Sequence, residues 1–240
     1  MSRPTILIPV AFPDPAPYPL ADMHLEGLSS FEIVLSGYWE VPSQLPVTEA
    51  REAHKTEADA VLYEMATHFS RAGAPTEIQL QFGRPGAPKR THQTRLAREI
   101  DADGVLLAAE LPPVSNILVP LRDSRRQTEI VEFVSKFHSS DLFALELYHV
   151  TADETGTEQA REMLQTVEET LLSRGFSEAD IEITVESAND PTAAIAATAR
   201  DHNLVVMGET EQPNTEGQLF GPVCSSIADT ADRPIVVVRK

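Results

Sequence analysis

The sequence predicts an α/β protein made of two parallel-sheet units in tandem, the first of them truncated. Short apolar runs alternate with amphipathic segments along the 240 residues, which is typical of a parallel sheet covered by helices on both faces. The chain also resembles itself, because residues 6–10 match 117–121 and residues 97–107 match 199–206. The repeat period of about 105 residues is too long for a solenoid and predicts two copies of one domain.

The first unit is predicted at 1–110, followed by a linker at 111–115. Its strands are predicted at 5–10, 31–41, 76–82 and 104–109, and its helices at 48–71 and 91–101. The first of these helices carries an apolar stripe at helical spacing, formed by Ala58, Val61, Leu62, Met65 and Phe69. The proline-rich segment 11–20 cannot form a regular helix. The unit stops at Glu110, so it lacks the last loop, helix and strand of the repeat.

The second unit, predicted at 116–240, carries the complete pattern. Its strands are predicted at 116–121, 141–150, 181–187, 203–207 and 234–238. Its helices are predicted at 124–138, at 157–173, from Pro191 onward and at 221–231. Ser124 and Gln127 have the spacing of a capping box, and Asp190 precedes a proline at the first helical position. The helix at 157–173 has a core stripe that consists of Ala160, Met163, Leu164, Val167 and Leu171.

The composition restricts the classes of function. The net charge is −18 and only four residues are lysine, which favours a protein of high-salt cytosol, where a Debye length of about 3 Å makes self-repulsion tolerable. An ordinary acidic protein is the alternative. The acidic surface argues against nucleic-acid binding, which needs a basic patch. No apolar run approaches the roughly 20 residues of a membrane span, and the N-terminal run is too short for a signal peptide. We therefore expect a cytoplasmic protein without membrane insertion.

Common catalytic and metal-binding patterns are missing from the sequence. No two histidines have the close spacing of a zinc site, and neither a P-loop nor a nucleophile elbow occurs. Cys224 is the only cysteine, so it excludes an internal disulfide and is expected to be a small core or boundary residue. These observations predict a protein with no catalytic and no metal-binding residues.

The last forty residues suggest a ligand site. The strand at 203–207 leads through Gly208 into a polar loop, which enters a helix at Gly221. A helix N-terminus offers unpaired N–H groups and a partial positive charge, and it can hold phosphate. Because parallel sheets bind ligands at the carboxyl ends of their strands, the loops after residues 121, 150 and 208 are expected to meet. The candidate site residues are Pro120, Leu121, Arg122, Asp123, Ser124, Val150, Gly208, Glu211, Gly221, Pro222 and Val223.

The second half resembles the universal stress protein family, and the first half does so weakly. The nucleotide-binding members of this family have Gly, two residues, Gly, nine residues, Gly and then Ser or Thr. Gly208, position 211, Gly221 and position 222 keep this spacing. The resemblance implies flavodoxin-like units (universal stress protein-like, adenine nucleotide alpha hydrolase-like) that pair as a pseudo-dimer. It also implies that the backbone of Val150 meets adenine and that position 122 contacts adenosine.

Three of the four diagnostic positions depart from the family pattern. Glu211 replaces glycine and places a carboxylate beside the expected phosphates, and Pro222 replaces Ser or Thr and has no N–H. Arg122 replaces the aspartate and cannot accept a hydrogen bond. We therefore expect a nucleotide site that is weakened or lost, with no cofactor, and keep ATP or AMP binding through altered chemistry as the alternative.

Simpler structural roles remain open for several of these residues. Gly208 and Gly221 serve equally well as turn residues, and Ser124 is favoured as a helix cap over a ligand contact. For Arg122, a surface ion pair with Asp123, Glu209 or Glu211 is favoured over a phosphate contact.

The resemblance also implies a function. It implies a non-enzymatic regulatory or stress-response protein that binds a protein partner, such as a transporter or a metabolic enzyme. Because the first unit lacks its last strand, we expect asymmetric pairing of the halves or completion by a second chain. The helix at 221–231 and the strand at 234–238 are the candidates for a homodimer contact.

Overall fold

The computed structural model describes most of the chain, namely residues 3–17, 25–84, 89–108, 110–111, 113–137, 144–152, 156–209, 221–231 and 233–239. The strands in these ranges are β1 (Thr5–Phe12), β2 (Glu32–Glu40), β3 (Thr76–Gly83), β4 (Gly104–Leu107), β5 (Asn116–Pro120), β6 (Ala144–Thr151), β7 (Ile181–Ser187), β8 (Leu204–Gly208) and β9 (Ile235–Val238). The α-helices are α1 (Val47–Arg71), α2 (Lys89–Glu99), α3 (Gln127–Val134), α4 (Thr157–Ser173), α5 (Pro191–Thr198) and α6 (Pro222–Thr230).

The predicted order of strands and helices is confirmed, and most of the element ends agree within three residues. Residues 18–20, 109, 138 and 141–143, which lie within or at the ends of predicted segments, are outside the described residues. None of the helices in the described ranges is long and apolar enough to cross a membrane.

The nine strands form one sheet in the order β3-β2-β1-β4-β9-β8-β5-β6-β7. All neighbouring strands are parallel except β4 and β9, which are antiparallel. The sheet therefore consists of a four-stranded parallel part from the first half and a five-stranded parallel part from the second. The predicted α/β fold with two parallel-sheet units and a truncated first unit is confirmed.

The last strand, β9, joins the two parts of the sheet. It pairs in parallel with β8 along one edge and in antiparallel with β4 along the other, where Gly104 lies opposite Val238 and Leu107 opposite Ile235. Both of its edges are thus hydrogen-bonded within the chain. No edge of β9 is therefore free to pair with a second copy, and the expected homodimer contact at 221–231 and 234–238 stays a prediction.

Each face of the sheet is covered by helices. Helices α1, α3 and α4 cover one face, and their buried side chains include the predicted stripes of α1 and α4, with Val61 and Met163 only partly buried. On the other face lie α2, α5 and α6, which contribute Leu96, Ala196 and Ile227. Apolar area removed from water is the main source of stability, at about 25 cal/mol per Å².

The two halves also share a buried aromatic cluster. The ring centroid of Phe31, from the first half, lies 5.0 Å from that of Phe133 and 5.0 Å from that of Phe137. Gly104 in β4 makes room for this contact, because a Cβ atom there would lie 3.0 Å from the ring of Phe133. The halves are therefore packed together by side chains as well as by strand pairing.

A polar contact through Arg239 fastens the end of β9 to the first half. Its Nη1 atom donates hydrogen bonds of 2.8 Å to the carbonyl oxygens of Ala97 and Ala102, and its backbone N–H donates one of 2.8 Å to Asp103. The Asp103 carboxylate in turn accepts a 2.7 Å hydrogen bond from the backbone N–H of Thr5. A guanidinium thus connects the C-terminal strand to the turn that precedes β4.

We predict that Arg239→Ala lowers the free energy of unfolding by about 2 kcal/mol, because hydrogen bonds to charged groups contribute about 1.5–3 kcal/mol. Urea unfolding followed by circular dichroism measures this change. Arg161→Ala, on the exposed surface of α4, is the matched control and should change stability by less than about 0.5 kcal/mol. Equal effects of the two substitutions would show that Arg239 does not hold the halves together.

Candidate functional site

A cavity of about 550 Å³ lies at the carboxyl ends of β5, β6 and β8. In the sheet, β5 lies between β8 and β6, so the chain reverses its direction of strand addition there. Open parallel sheets form ligand-binding crevices at such switch points, and the volume is typical of small-molecule sites. The predicted site residues that line this crevice are Pro120, Leu121, Arg122, Asp123, Val150, Gly208, Gly221 and Val223.

Of the three other predicted site residues, Ser124 is the one whose side chain the structure describes. Glu211 lies outside the described residues. Pro222 is the first residue of α6, and Ser124 begins a short 3-10 helix that runs to Arg126. Ser124 is not among the lining residues, and the side chain of Pro222 lies outside what the structure describes.

The predicted capping box of Ser124 and Gln127 is wrong. The residue that caps the turn is Asp123, whose Oδ1 accepts a 3.0 Å hydrogen bond from the backbone N–H of Arg125. Asp123 Oδ2 also accepts a 2.7 Å hydrogen bond from the guanidinium of Arg125. That side-chain hydrogen bond is the main reason that the pKa of Asp123 lies below its ordinary value. Aspartate is as good a cap as serine and also interacts with the helix dipole.

The loop after β5 is anchored to β6. The backbone N–H of Leu121 donates a 2.8 Å hydrogen bond to the carbonyl of Tyr148, and the Nδ1 atom of His149 donates one of 2.7 Å to the carbonyl of Leu121. These two bonds fix the backbone from which Arg122 and Asp123 project. Sequence analysis did not identify this role of His149, since it depends on which strands are neighbours.

The side chain of Arg122 points into solvent and is 90% exposed. Its Nε atom lies 3.9 Å from Asp123 Oδ2, which is a weak, exposed ion pair. Among the described residues, this is its one ion pair, so the surface pair favoured from the sequence forms with Asp123. Glu209, the second candidate partner, instead pairs with an arginine that sequence analysis did not single out.

That arginine is Arg126, in the wall of the crevice. Its Nη2 atom donates a 2.7 Å hydrogen bond to Glu209 Oε1, and its Nη1 atom donates one of 2.8 Å to the carbonyl of Arg239. Gly208 permits this arrangement, since a Cβ atom there would lie 3.2 Å from Cβ of Arg126. In the sequence, Arg126 is one of two adjacent arginines at a helix start, and only the sheet order brings it beside β8.

The rest of the crevice wall is mostly apolar. The additional lining residues with apolar or aromatic side chains include Ile130, Tyr148, Ile195, Met207, Cys224 and Val237. The phenol of Tyr148 donates a hydrogen bond to the Glu186 carboxylate. Burial, together with that carboxylate, raises the pKa of Tyr148 to about 12. The phenol therefore stays protonated and acts as a neutral part of the wall.

Helix α6 begins as predicted, with Gly221 as its N-cap and Pro222 as its first residue. Gly221 has an extended conformation and gives no side-chain cap. Pro222 has no N–H, so the first turn offers one backbone donor fewer than usual. The helix end is thus a poorer anion site than its position at the crevice suggests.

The formal charges of the described lining side chains cancel. Arg122 and Arg126 are positive, while Asp123 and Glu209 are negative. A polyphosphate that enters the crevice therefore finds no net positive charge on these side chains.

A buried ion pair lies on the same side of β6 as Tyr148. His202 Nε2 lies 3.0 Å from Glu146 Oε2, and the side chains are 6% and 14% exposed. His202 Nδ1 donates a 2.9 Å hydrogen bond to the carbonyl of Thr198. Burial opposes the charge on His202, but the hydrogen bonds to Glu146 and Thr198 outweigh it, so the pKa of His202 is raised. The hydrogen bond from His202 lowers the pKa of Glu146.

We predict that this pair stabilises the fold most between pH 4.5 and 6.5, the ordinary pKa values of the two groups. The contribution of His202 is complete below pH 6.5 and is lost as the pH rises through its raised pKa. The contribution of Glu146 is present above pH 4.5 and is lost as the pH falls through its lowered pKa. Proton NMR titration of His202 should give a pKa above 6.5.

The Glu146→Gln variant should lower the NMR pKa of His202 and should cost most stability within that pH window. Glu182→Gln is the control, because Glu182 lies opposite Glu146 on the neighbouring strand and is exposed. An unchanged His202 pKa in Glu146→Gln would contradict the assignment of this pair.

The fold is similar to that of several solved proteins, although the sequence is not similar to curated ones. No curated protein matches the sequence. A universal stress protein from Archaeoglobus fulgidus DSM 4304 has a similar structure, with a TM-score of 0.62 at 13% identity, over 98% of this chain and 96% of that chain. A putative universal stress protein from Pseudomonas aeruginosa UCBPP-PA14 is similar over 98% of this chain and 92% of that chain, with a TM-score of 0.51 at 14% identity.

Other similar structures cover half of the chain. One is a universal stress protein from Archaeoglobus fulgidus in complex with dAMP, which covers 52% of this chain and 97% of that chain, with a TM-score of 0.41 at 16% identity. At such identities the likeness to solved structures shows the fold alone. The model of the universal stress protein family matches residues 113–239, more than half of the sequence. With this match and the fold described above, the chain belongs to the universal stress protein family.

Proposed function

We propose that this protein is a non-enzymatic regulatory or stress-response member of its family that acts by binding a protein partner, and that its nucleotide site is weakened or lost. The observation that supports the weakened site is the 2.7 Å contact between Arg126 and Glu209 in the crevice wall. The guanidinium best placed to meet a phosphate already has a carboxylate partner. The partner, for instance a transporter or a metabolic enzyme, would be met in the cytoplasm.

Electrostatics disfavours a triphosphate in this crevice. Two like charges about 4 Å apart repel by about 1 kcal/mol in water and about 4 kcal/mol at an intermediate dielectric. Asp123 and Glu209 both line the crevice, and the sequence adds Glu211 in the following loop. Because a triphosphate carries several charges, these repulsions add, and Pro222 removes a donor that would offset them.

We predict that isothermal titration calorimetry finds no micromolar binding of ATP, at low or at high potassium chloride. Adenosine, which lacks phosphate, serves as the control for the apolar part of the crevice and should bind at least as well as ATP. Micromolar affinity for ATP would overturn the proposal of a weakened site.

The second candidate function is a sensor that binds ATP or AMP through altered chemistry. The exposure of the Arg122 side chain at the crevice favours it, because an arginine whose one ion pair within the described ranges is a 3.9 Å surface contact can turn toward a phosphate at small cost. In this function, Glu211 would hold a divalent metal ion.

This alternative makes a prediction of its own. Calorimetry would find nucleotide binding that requires Mg²⁺ or Mn²⁺ and is lost in Arg122→Asp. Arg161→Asp, which makes the same charge change on the exposed surface of α4, should leave that binding intact. Binding that is independent of a divalent cation, or equal loss in both variants, would argue against the sensor.

A further inference from the structure

The crevice wall contains a cation that is positioned by the fold. Arg126 is 30% exposed, and its Nη1 atom is tied by a 2.8 Å hydrogen bond to the carbonyl of Arg239. Its Nη2 atom reaches the carboxylate of Glu209. A guanidinium presents a planar fork of donors that fits a carboxylate and a phosphate equally well. Arg126 therefore has the chemistry of an anion-binding residue.

The carboxylate that contacts Arg126 belongs to Glu209, whose backbone is hydrogen-bonded to the sheet. Glu209 directly follows β8, and its backbone N–H donates a 2.8 Å hydrogen bond to the carbonyl of Val238. Its side chain is 20% exposed, with Oε1 2.7 Å from Arg126 Nη2 and Oε2 3.8 Å from Arg239 Nε. Being part of the same chain, this carboxylate competes at a high effective concentration with any anion from solution.

We propose that Arg126 forms an anion subsite of the crevice and that the carboxylate of Glu209 occupies this subsite as an internal competitor. The inference rests on the proposed function, in which the crevice binds phosphate weakly, and it names the residue that sets this weakness. Neutral ligands enter without disturbing the ion pair. A ligand with a phosphate or carboxylate group has to displace Glu209, so Glu209 determines which class of ligand binds.

The remaining contacts indicate that the subsite survives loss of the Glu209 charge. Arg239 is held by the carbonyls of Ala97 and Ala102, at 2.8 Å each. Arg126 keeps its bond to the carbonyl of Arg239. Neutralising Glu209 therefore leaves both guanidinium groups in place and gives the described lining side chains a net charge of +1, since Arg122, Arg126 and Asp123 remain.

The test compares AMP with adenosine in the full-length protein and its Glu209→Gln variant, by calorimetry at constant low ionic strength. The variant keeps the shape of the side chain and removes its charge. We expect AMP to bind about tenfold more tightly to Glu209→Gln than to the natural sequence, which corresponds to about 1.4 kcal/mol. Adenosine should bind the two proteins equally, because it has no anionic group.

Two further variants assign the gain to Arg126. Glu182→Gln is the matched control, since Glu182 is an exposed carboxylate on β7 that is not among the lining residues, and it should leave AMP affinity unchanged. The double variant Arg126→Gln/Glu209→Gln should lose the gain. Circular dichroism checks that each variant folds, and Glu209→Ser replaces Glu209→Gln if the latter does not fold.

Three results would overturn the inference: an AMP affinity of Glu209→Gln equal to that of the natural sequence, an equal gain for adenosine, or a gain that persists without Arg126. The proposed function fails separately, when the natural sequence binds ATP at micromolar concentration. In that case the ratio of the AMP affinities of Glu209→Gln and the natural sequence still decides whether Glu209 competes for Arg126.

Discussion

The antiparallel pairing of β4 with β9 is the constraint on which the rest of this structure depends. The first half ends its own parallel sheet at β4 and would leave an apolar edge of unpaired N–H and C=O groups. Such an edge is costly to bury and prone to aggregation. β9 satisfies it with four residue pairs, from Gly104 opposite Val238 to Leu107 opposite Ile235. The five-stranded part thus supplies the strand that the four-stranded part lacks.

β9 and the residue that follows it, Arg239, also position one wall of the crevice. Val237 lines it, the carbonyl of Val238 fixes the backbone of Glu209, and the carbonyl of Arg239 fixes the side chain of Arg126. The side chain of Arg239 then continues to the turn before β4. The junction of the halves and the charged wall of the crevice are therefore one connected network of hydrogen bonds, in which Glu209 and Arg126 are neighbours at 2.7 Å.

Much of the fold was predictable from local patterns. The apolar stripe of α1, the proline start of α5 and the cap by Asp190, whose Oδ1 accepts a 3.1 Å bond from Ala193, depend on residues close together in the chain. The capping box at Ser124 failed for a local reason, since Asp123 one residue earlier offers a charged acceptor in place of a hydroxyl. The unit boundaries at 110 and 116 stay predictions.

For the site, the sequence by itself determined the loops that meet, because the carboxyl ends of parallel strands share one edge of a sheet. Eight of the nine predicted site residues whose side chains the structure describes line one crevice as a result, and their binding of a ligand stays a prediction. Only the tertiary structure decided which charges face each other. Arg126 and Glu209 are 83 residues apart, and the paired residues of β4 and β9 are 128 to 134 positions apart. Local composition and periodicity cannot predict contacts between such distant residues, because these contacts depend on the order of the strands in the sheet.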